Sequence, residues 1–590
     1  VNGLAFDIET TGKRLYHGAE MFSYATATLA GATEVHRLDR TAMRRAKAEA
    51  TLRRIMFDTS VPLIGHNILF DLTGVMRSGY PMPWGRPIHD TILMSRILRN
   101  LAPSHALDDL CWEIGGWPRE LDAAVAKIGH NGYHRVPENI MDEYQRADVA
   151  RTMILFRLFW PEVKANPGFL DEYNTELALT WTTIRMIARG IHYKADASEK
   201  LIAKLEHDVE HTRGVIDQMV GRPINPLGED MRRVLFDDLK LPVIKRTPKG
   251  KPSMDQEVFE AWSQDTTLQH PLLNQVLKYR SYTHSLPIIK GYGREADADG
   301  IIHPEIIVSQ ADTGREACKK PNLQNVQKEG VLTNRFPVPA RNLFGPRPGN
   351  VWVLMDFAGQ EALLLTHYSN DPEMLAIVNA RGPGAIHDEA AAMIYLEQFT
   401  QCQDKGLKKS LRNAAKSNVS FALPYGSSDK GACVGLRLPP HIGSPRLRAF
   451  RARFPKYCGL TDTLKAGFRG CGYITTAFGR RLYIPHDKPY VLTNYLIQGT
   501  GAGMLKRAQV RVDEYLQDMT RGGAGIVLPV HDEIISEWPR ELLGQLPKLL
   551  PDMTRIMTDF GNLFKVKFEV EVKIAASHWG NAKEVKVDAA

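Results

Sequence analysis

The sequence has no Cys-x-x-Cys pair: its six cysteines, Cys111, Cys318, Cys402, Cys433, Cys458 and Cys471, are scattered. That argues against a structural zinc site and a disulfide framework, and it suits a reducing, cytoplasmic compartment. No apolar run approaches the roughly 18 residues of a membrane span, so no membrane association is expected. Internal repeats and low-complexity tracts are missing too. The N-terminal VNGLAFDIETTG has no basic segment leading into an apolar one and does not read as a secretory signal. Neither sign of charge dominates: 75 Lys and Arg against 67 Asp and Glu leave a net charge of +8. That excess suits a polyanionic partner, but a soluble basic enzyme fits it equally well.

What is present is ordinary globular composition, 43% hydrophobic and 24% charged over 590 residues. At roughly 100–200 residues per domain this predicts about three to five domains. The first 160 or so residues alternate apolar runs (VNGLAF, VPLIGHNILF) with helical stretches such as Ala42 to Phe57, a pattern that predicts an α/β domain. From Asp171 to about Arg280 apolar positions recur at three and four, as helices require. VIKRTPKGKPSMD interrupts them and reads as a mobile basic loop. A second α/β region starts near Ile301, with VWVLMDF as a strand. Helices fill most of Pro372 to Leu464. GIVLPVHDEIISEW and KVKFEVEVKI alternate as half-buried antiparallel strands do.

Asp7 and Glu9 follow an apolar run in AFDIETTG, and residues two apart on a strand share a face. Alone this is weak, because a solvated strand face gives the same pattern. GHNILFD adds Asp71. YQRAD puts Tyr144 one helical turn before Asp148. Four carboxylates and a phenol can hold two divalent cations and orient a water, and hard oxygen donors favour Mg²⁺ or Mn²⁺. The ordered set resembles the proofreading 3′–5′ exonucleases of the DEDD type, Tyr subclass, over about residues 1–165. The resemblance implies metal binding by Asp7, Glu9, Asp71 and Asp148, and a water positioned by Tyr144.

A second set is more widely spread. Asp356 ends the strand-like VWVLMDF, and His531, Asp532 and Glu533 sit at a hairpin turn. Two aspartates far apart in sequence can meet on one sheet as a second two-metal site. Between them, LRNAAKSNVSFALPYG places Arg412 and Lys416 four apart on one helix face, and Phe421 and Tyr425 four apart on the same element. Two cations and two rings can grip a triphosphate and stack a base. A solvated basic face over a buried aromatic stripe is the plainer reading of that segment alone.

The order of these segments resembles family A DNA polymerases, the DNA polymerase I-like group, from about Tyr173 to Trp579. ADTGREACKKPNLQNVQ, RNLFGPRPGNVWVLMDFAGQE, LRNAAKSNVSFALPYGSSDKG, TAFGRRLYIP with NYLIQGTGAGMLKRA, VHDE and the terminal SHWG carry the likeness. It implies an RNase H-like exonuclease domain followed by a right-hand palm, fingers and thumb. The expected limits are 1–165 exonuclease, 166–305 thumb and connecting helices, 306–370 palm, 371–499 fingers and 500–590 palm. Asp356 and Asp532 would hold two metal ions. Arg412, Lys416 and His387 would bind the triphosphate, with Lys416 able to protonate the leaving group. Glu361 would exclude ribonucleotides, with Tyr425 and Phe421 beside the nucleotide. Arg315, Gln498, His531, Asn322 and Gln324 would contact primer–template DNA, and Lys249 and Lys251 would grip duplex phosphates from the thumb. The implied reaction is template-directed addition of dNTPs with proofreading. The rival is an exonuclease whose second half only holds DNA. Helicase, primase or single-strand-binding partners are not legible. The length leaves no room for the 5′ nuclease domain of larger bacterial relatives and looks phage-like, which would place the enzyme in a host cytoplasm.

Two motifs depart from the family pattern. Where the family has DYSQIELR, this chain has DFAGQEAL, so Gly359, Gln360 and Leu363 replace Gln, Ile and Arg. Lys416 lies five residues before Phe421 and nine before Tyr425, one more than usual, and Pro424 falls inside the expected helix. An extra residue is commonly absorbed as a π-bulge. The expectation is a locally distorted helix beside the nucleotide, which could tune base choice. Some phage relatives copy modified bases such as 2-aminoadenine.

Overall fold

A computed structural model describes residues 3–585 except 40, 117–119, 265–267, 269, 328–335 and 469. The N-terminal part is built on strands β1 (Leu4–Thr10), β2 (Met21–Thr28) and β3 (Thr33–Arg37), helix α1 (Ala42–Phe57), strand β4 (Leu63–Gly65), helix α2 (Ile68–Arg77), strand β5 (Ile88–Asp90) and helix α3 (Thr91–Leu98). The sheet order is β3-β2-β1-β4-β5, with β1 antiparallel to β2 and parallel to β4. Short helical crossovers explain the parallel half: β4 and β5 pair in parallel because α2 carries the chain back between them. Helix α1 buries Ala48, Leu52 and Met56, spaced four apart on one face.

Helix α4 (Glu138–Ala165) packs on this sheet and is 28 residues long, about 42 Å at helical rise. Only Asn166 separates it from α5 (Pro167–Arg189). The Asn166 side chain accepts from the N–H groups of Gly168 and Phe169, and Pro167 opens the new helix. This is an N-cap followed by proline at the first helical position, so the sequence dictates the break. Helices α6 (Ala195–Val220) and α7 (Pro271–Gly293) follow. Beyond them a small separate core gathers Ile216, Met231, Val258, Phe259 and Trp262.

The C-terminal part places strand β6 (Asn350–Phe357) first, then helices α8 (Gln360–Ser369), α9 (Ala385–Tyr395), α10 (Lys405–Ala415) and α11 (Leu492–Thr520). Strands β7 (Gly525–Val530), β8 (Glu533–Pro539), β9 (Val570–Ala575) and β10 (Lys583–Val585) complete a sheet ordered β7-β8-β6-β9-β10, antiparallel throughout. Side chains of β6 alternate between two cores. Val351, Val353 and Met355 face the helical core with α8 to α11, and Trp352 and Leu354 face the other side.

A buried ionic knot ties the parts together. The Arg480 guanidinium and the Lys506 ammonium both donate to Glu176 Oε1, at 2.7 and 2.5 Å. Arg480 also donates to the Arg96 carbonyl on α3, and Arg96 donates to the Gln310 carbonyl at 3.0 Å. Asn100 and Tyr483 exchange side-chain and backbone hydrogen bonds at 3.0 and 2.9 Å.

Four expectations need correction. The basic loop is held rather than loose: Arg246 bridges Pro252, Lys245 pairs with Asp255 and Glu257, and Lys251 pairs with Glu229. Asp255 closes the stretch itself, whereas Glu257 and Glu229 lie outside it. KVKFEVEVKI forms a strand only from Val570 to Ala575. Pro424 does not lie within a helix. Helical structure stops at Phe421, and Pro424 and Tyr425 occupy the turn that follows. Phe421 and Tyr425 therefore sit on different elements.

Candidate functional site

Two groups of carboxylates emerge, one on each sheet. In the first, β1 carries Asp7 and Glu9, and α4 delivers Asp148 beside them. Ligand oxygens from all three lie within 4.8 Å of one another. Asp71 arrives on α2 and is fixed because its Oδ1 accepts the Ile8 backbone N–H at 3.2 Å. The four carboxylates and Tyr144 line one pocket, joined by Asn67, Phe70 and Tyr133. Burial holds Asp7, Glu9, Asp71 and Asp148 well above the usual carboxylate range; repulsion within the group adds to it for Asp7, Glu9 and Asp148, and repulsion from Asp90 adds to it for Asp71. Burial, followed by Asp148, also pushes the Tyr144 phenol up. Buried Asp7 Oδ2 has no hydrogen-bond partner. Clustered oxygen donors that repel one another and leave a buried oxygen unpartnered fit a divalent cation.

The second group lies where β6 meets the β7–β8 hairpin. Asp356 pairs in register with Glu533, and the Phe357 N–H donates to the Asp532 carbonyl at 3.2 Å. His531 and Asp532 form the two-residue turn, with His531 at φ 60°. Asp532 is thus turn-borne and Asp356 strand-borne. Their carboxyl groups interact directly, the Asp356 side chain acting on Asp532. Burial raises the Asp532 pKa, with Glu533 adding repulsion. Two carboxylates that meet in this way, with Glu533 beside them, fit a divalent cation.

Two cations stand at the end of α10, against α9. Arg412, in the last turn of α10, donates through Nε to Asp388 at 2.6 Å and donates to the Gly384 carbonyl at 2.9 Å. Lys416 opens a π-helical turn running from Lys416 to Phe421. The extra residue between Lys416 and Phe421 is absorbed there, as its spacing led us to expect. Lys416 Nζ lies 5.5 Å from the Phe421 ring, and His387 packs edge-on against the same ring. Burial, with Lys416 and Arg412 adding repulsion, lowers His387 to about 3, so the imidazole is neutral. The Tyr425 hydroxyl donates to Glu361 at 2.6 Å.

The expected DNA contacts are dispersed around this pair. Arg315, Asn322 and His531 are exposed. Gln498 donates to Asn494 at 2.7 Å, and Gln324 donates to the Pro529 carbonyl, bracing β7. Lys249 is exposed, whereas Lys251 is paired with Glu229.

Sequence reasoning missed Tyr133, which meets Tyr144 edge-on at 6.2 Å. It also missed Arg151, whose guanidinium reaches Asp122, Asp108 and Asp148 at 2.8, 3.3 and 3.4 Å. The i, i+3 spacing of Asp148 and Arg151 was the available signal. Nothing local marks Tyr133 or Asp388.

A family model described as 3′–5′ exonuclease matches residues 1–164, and one described as DNA polymerase family A matches residues 195–581. A thermostable DNA polymerase I of Thermus thermophilus is 28% identical over 73% of this chain and 51% of its own. DNA polymerase I of Pseudomonas aeruginosa is 26% identical over 86% of this chain and 55% of its own. The chain thus spans about half the length of the curated relatives it matches. Among solved structures, the POL domain of Pol1 from M. smegmatis, in complex with DNA primer-template and dNTP, aligns with a TM-score of 0.81. It is 21% identical and covers 98% of this chain and 96% of that one, so the fold is shared from end to end. Among the described residues, no helix is long and apolar enough to cross a membrane. With the family model spanning both Asp356 and Asp532 and the exonuclease model spanning all of Asp7, Glu9, Asp71 and Asp148, the chain belongs to DNA polymerase family A and carries a 3′–5′ exonuclease domain.

Proposed function

We propose that the protein is a template-directed DNA polymerase that adds dNTPs to a primer 3′ end and proofreads by 3′–5′ excision. The observation that carries this reading is the meeting of Asp356 and Asp532 on one sheet, in a chain that separately holds the Asp7, Glu9, Asp71 and Asp148 pocket. Related chains printed as DNA polymerase I, and a structural neighbour bound to primer-template and dNTP, support it. The proposed division is exonuclease over 1–165, thumb and connecting helices over 166–305, palm over 306–370 and 500–590, and fingers over 371–499.

Asp356 and Asp532 would hold the metal ions of synthesis, and Asp7, Glu9, Asp71 and Asp148 those of excision. Two Mg²⁺ or Mn²⁺ ions at each site are the proposal. Such ions, when bound, acidify an attacking hydroxyl or water and neutralise charge on the phosphates. The chain's own residues do the rest. Lys416 and Arg412 bind triphosphate oxygens, and Arg412 exchanges Asp388 for that ligand. Lys416 is placed to give a proton to the leaving pyrophosphate. Neutral His387 donates a hydrogen bond rather than adding charge. Glu361, held by Tyr425, blocks the space a 2′-hydroxyl needs. In the excision site, the Tyr144 phenol stays protonated and orients the attacking water. Phe70 and Asn67, which line the same pocket, are placed to receive the terminal nucleotide.

A labelled primer–template tests the reading directly. With Mg²⁺, the primer should lengthen with dNTPs and shorten without them. Shortening under both conditions would leave only the exonuclease.

A further inference from the structure

Asp148 belongs to two carboxylate groups rather than one. The first is the group with Asp7 and Glu9 in the excision pocket. The second joins it to Asp108, on the helix Leu107–Gly115, and to Asp122, on the helix Glu120–Ala126. One oxygen from each of Asp108, Asp122 and Asp148 lies within 4.8 Å of the other two, so this group is drawn as tightly as the first. By oxygen spacing alone, either group suits a divalent cation.

The groups differ in what already stands in them. Arg151, one turn beyond Asp148 on α4, puts Nη1 into the second group, 2.8 Å from Asp122, 3.3 Å from Asp108 and 3.4 Å from Asp148. The first group contains no guanidinium: Arg37, the cation whose field reaches Glu9, is paired with Asp142 at 2.7 Å. Arg151 and Asp148 are buried, and the Asp122 side chain is only 10% exposed. Three ionised carboxylates around one guanidinium leave an excess of negative charge there, which weakens a fold rather than bracing it. Buried Asp122 Oδ2 also has no hydrogen-bond partner among the described residues, an open donor site aimed at a cation. Asp148 feels both groups, Asp7 from one and Asp108 and Asp122 from the other, with Arg151 opposing them. A divalent ion taken up by the second group would hold Asp148 there and cost Asp7 and Glu9 their partner. A fixed monovalent cation in that group repels such an ion while it satisfies Asp108 and Asp122.

We propose that Arg151 is a positioning residue: its guanidinium fills the second carboxylate group, so that divalent ions bind among Asp7, Glu9 and Asp148 and not among Asp108, Asp122 and Asp148. The inference rests on the reading of Asp7, Glu9, Asp71 and Asp148 as the metal-holding site of excision.

The test counts Mn²⁺ ions bound to the full chain by electron paramagnetic resonance, with single-strand excision and Tm followed alongside. Arg151→Gln and Arg151→Met remove the charge, the first keeping a hydrogen-bond donor and the second only the stem. Each should bind an additional Mn²⁺ ion relative to the wild type. Excision should fall by about 10-fold or more, and further as Mn²⁺ is raised. Adding Asp122→Asn to Arg151→Gln should remove the additional ion and recover most of the excision. Arg151→Lys, which keeps the charge, should count like the wild type. An arginine that only braced the fold would lower Tm and excision in the variants without changing the ion count. Equal counts in the wild type, Arg151→Gln and Arg151→Met would therefore overturn the proposal. Equal counts in the wild type and in Asp7→Ala with Glu9→Ala would overturn the reading of the excision site instead.

Discussion

The Tyr425 hydroxyl donates to Glu361 Oε1 at 2.6 Å, joining the turn after the π-helical segment to the first turn of α8. One bond thereby links the turn proposed to lie beside the nucleotide to the carboxylate proposed to exclude a 2′-hydroxyl. Glu361→Ala should admit ribonucleotides, raising the ratio of kcat/KM for rNTP over dNTP by about 10- to 200-fold. Tyr425→Phe, which frees Glu361 without shortening it, should shift the ratio far less. Single-turnover incorporation of matched rNTP and dNTP pairs gives both values.

The two carboxylate groups should be separable. Asp7→Ala with Glu9→Ala should reduce excision by at least about 100-fold and leave extension near the wild-type rate. Asp532→Ala should do the reverse. Loss of both activities in either variant would show that the sites are not independent.

Removing one residue from the π-helical turn should be damaging out of proportion to its exposure. Ser417 is exposed, yet its deletion would rotate Lys416 relative to Phe421 by about 100°. We expect dNTP-dependent extension to collapse while excision persists. Extension at the wild-type rate would mean that the distortion serves no purpose at this site.

Asp90 supplies a pH test of the fold. Buried Asp90 accepts backbone N–H bonds from Asn67, Ile68 and Ile92, and so braces both α2 and α3. Burial outweighs those bonds and raises its pKa to about 6 from 3.8. The native state then binds more protons than the unfolded chain between those values. Stability from this group is present below pH 3.8 and is lost as pH rises through about 6, on the order of 3 kcal/mol in all. Asp90→Asn should flatten the dependence of Tm on pH across that window.

Lys249 and Lys251 should differ although both are exposed. Lys249→Ala should lower the salt slope of duplex binding by about one, as losing a phosphate contact does. Lys251 is already paired with Glu229, so Lys251→Ala should change the slope little. Equal effects would show that the Glu229 pair opens on binding.

Local chemistry made much of this legible. A strand pattern placed Asp7 and Glu9 together, a helical repeat placed Tyr144 under Asp148, and a spacing error of one residue foretold the turn at Lys416–Phe421. The missing parts come from contacts that only the tertiary fold creates. Arg412 meets Asp388 across two helices, and Arg341 meets Trp579 at the far end of the chain. Glu176, Arg480 and Lys506 converge from three separate segments. Burial, not spacing, selects such partners. Lys251 shows the same limit in reverse, because its neutralising glutamate lies outside the basic stretch.

The single residue between α4 and α5 has a consequence for how errors are corrected. Asn166 leaves no slack in the chain, and Arg96, Asn100 and Arg480 fasten the exonuclease part to the rest at further points. On the proposed function, the nucleic acid rather than the protein would therefore travel between the two sites. In that reading the pairing of the last bases would act as the sorting signal, weakly paired ends being pruned and firmly paired ends extended.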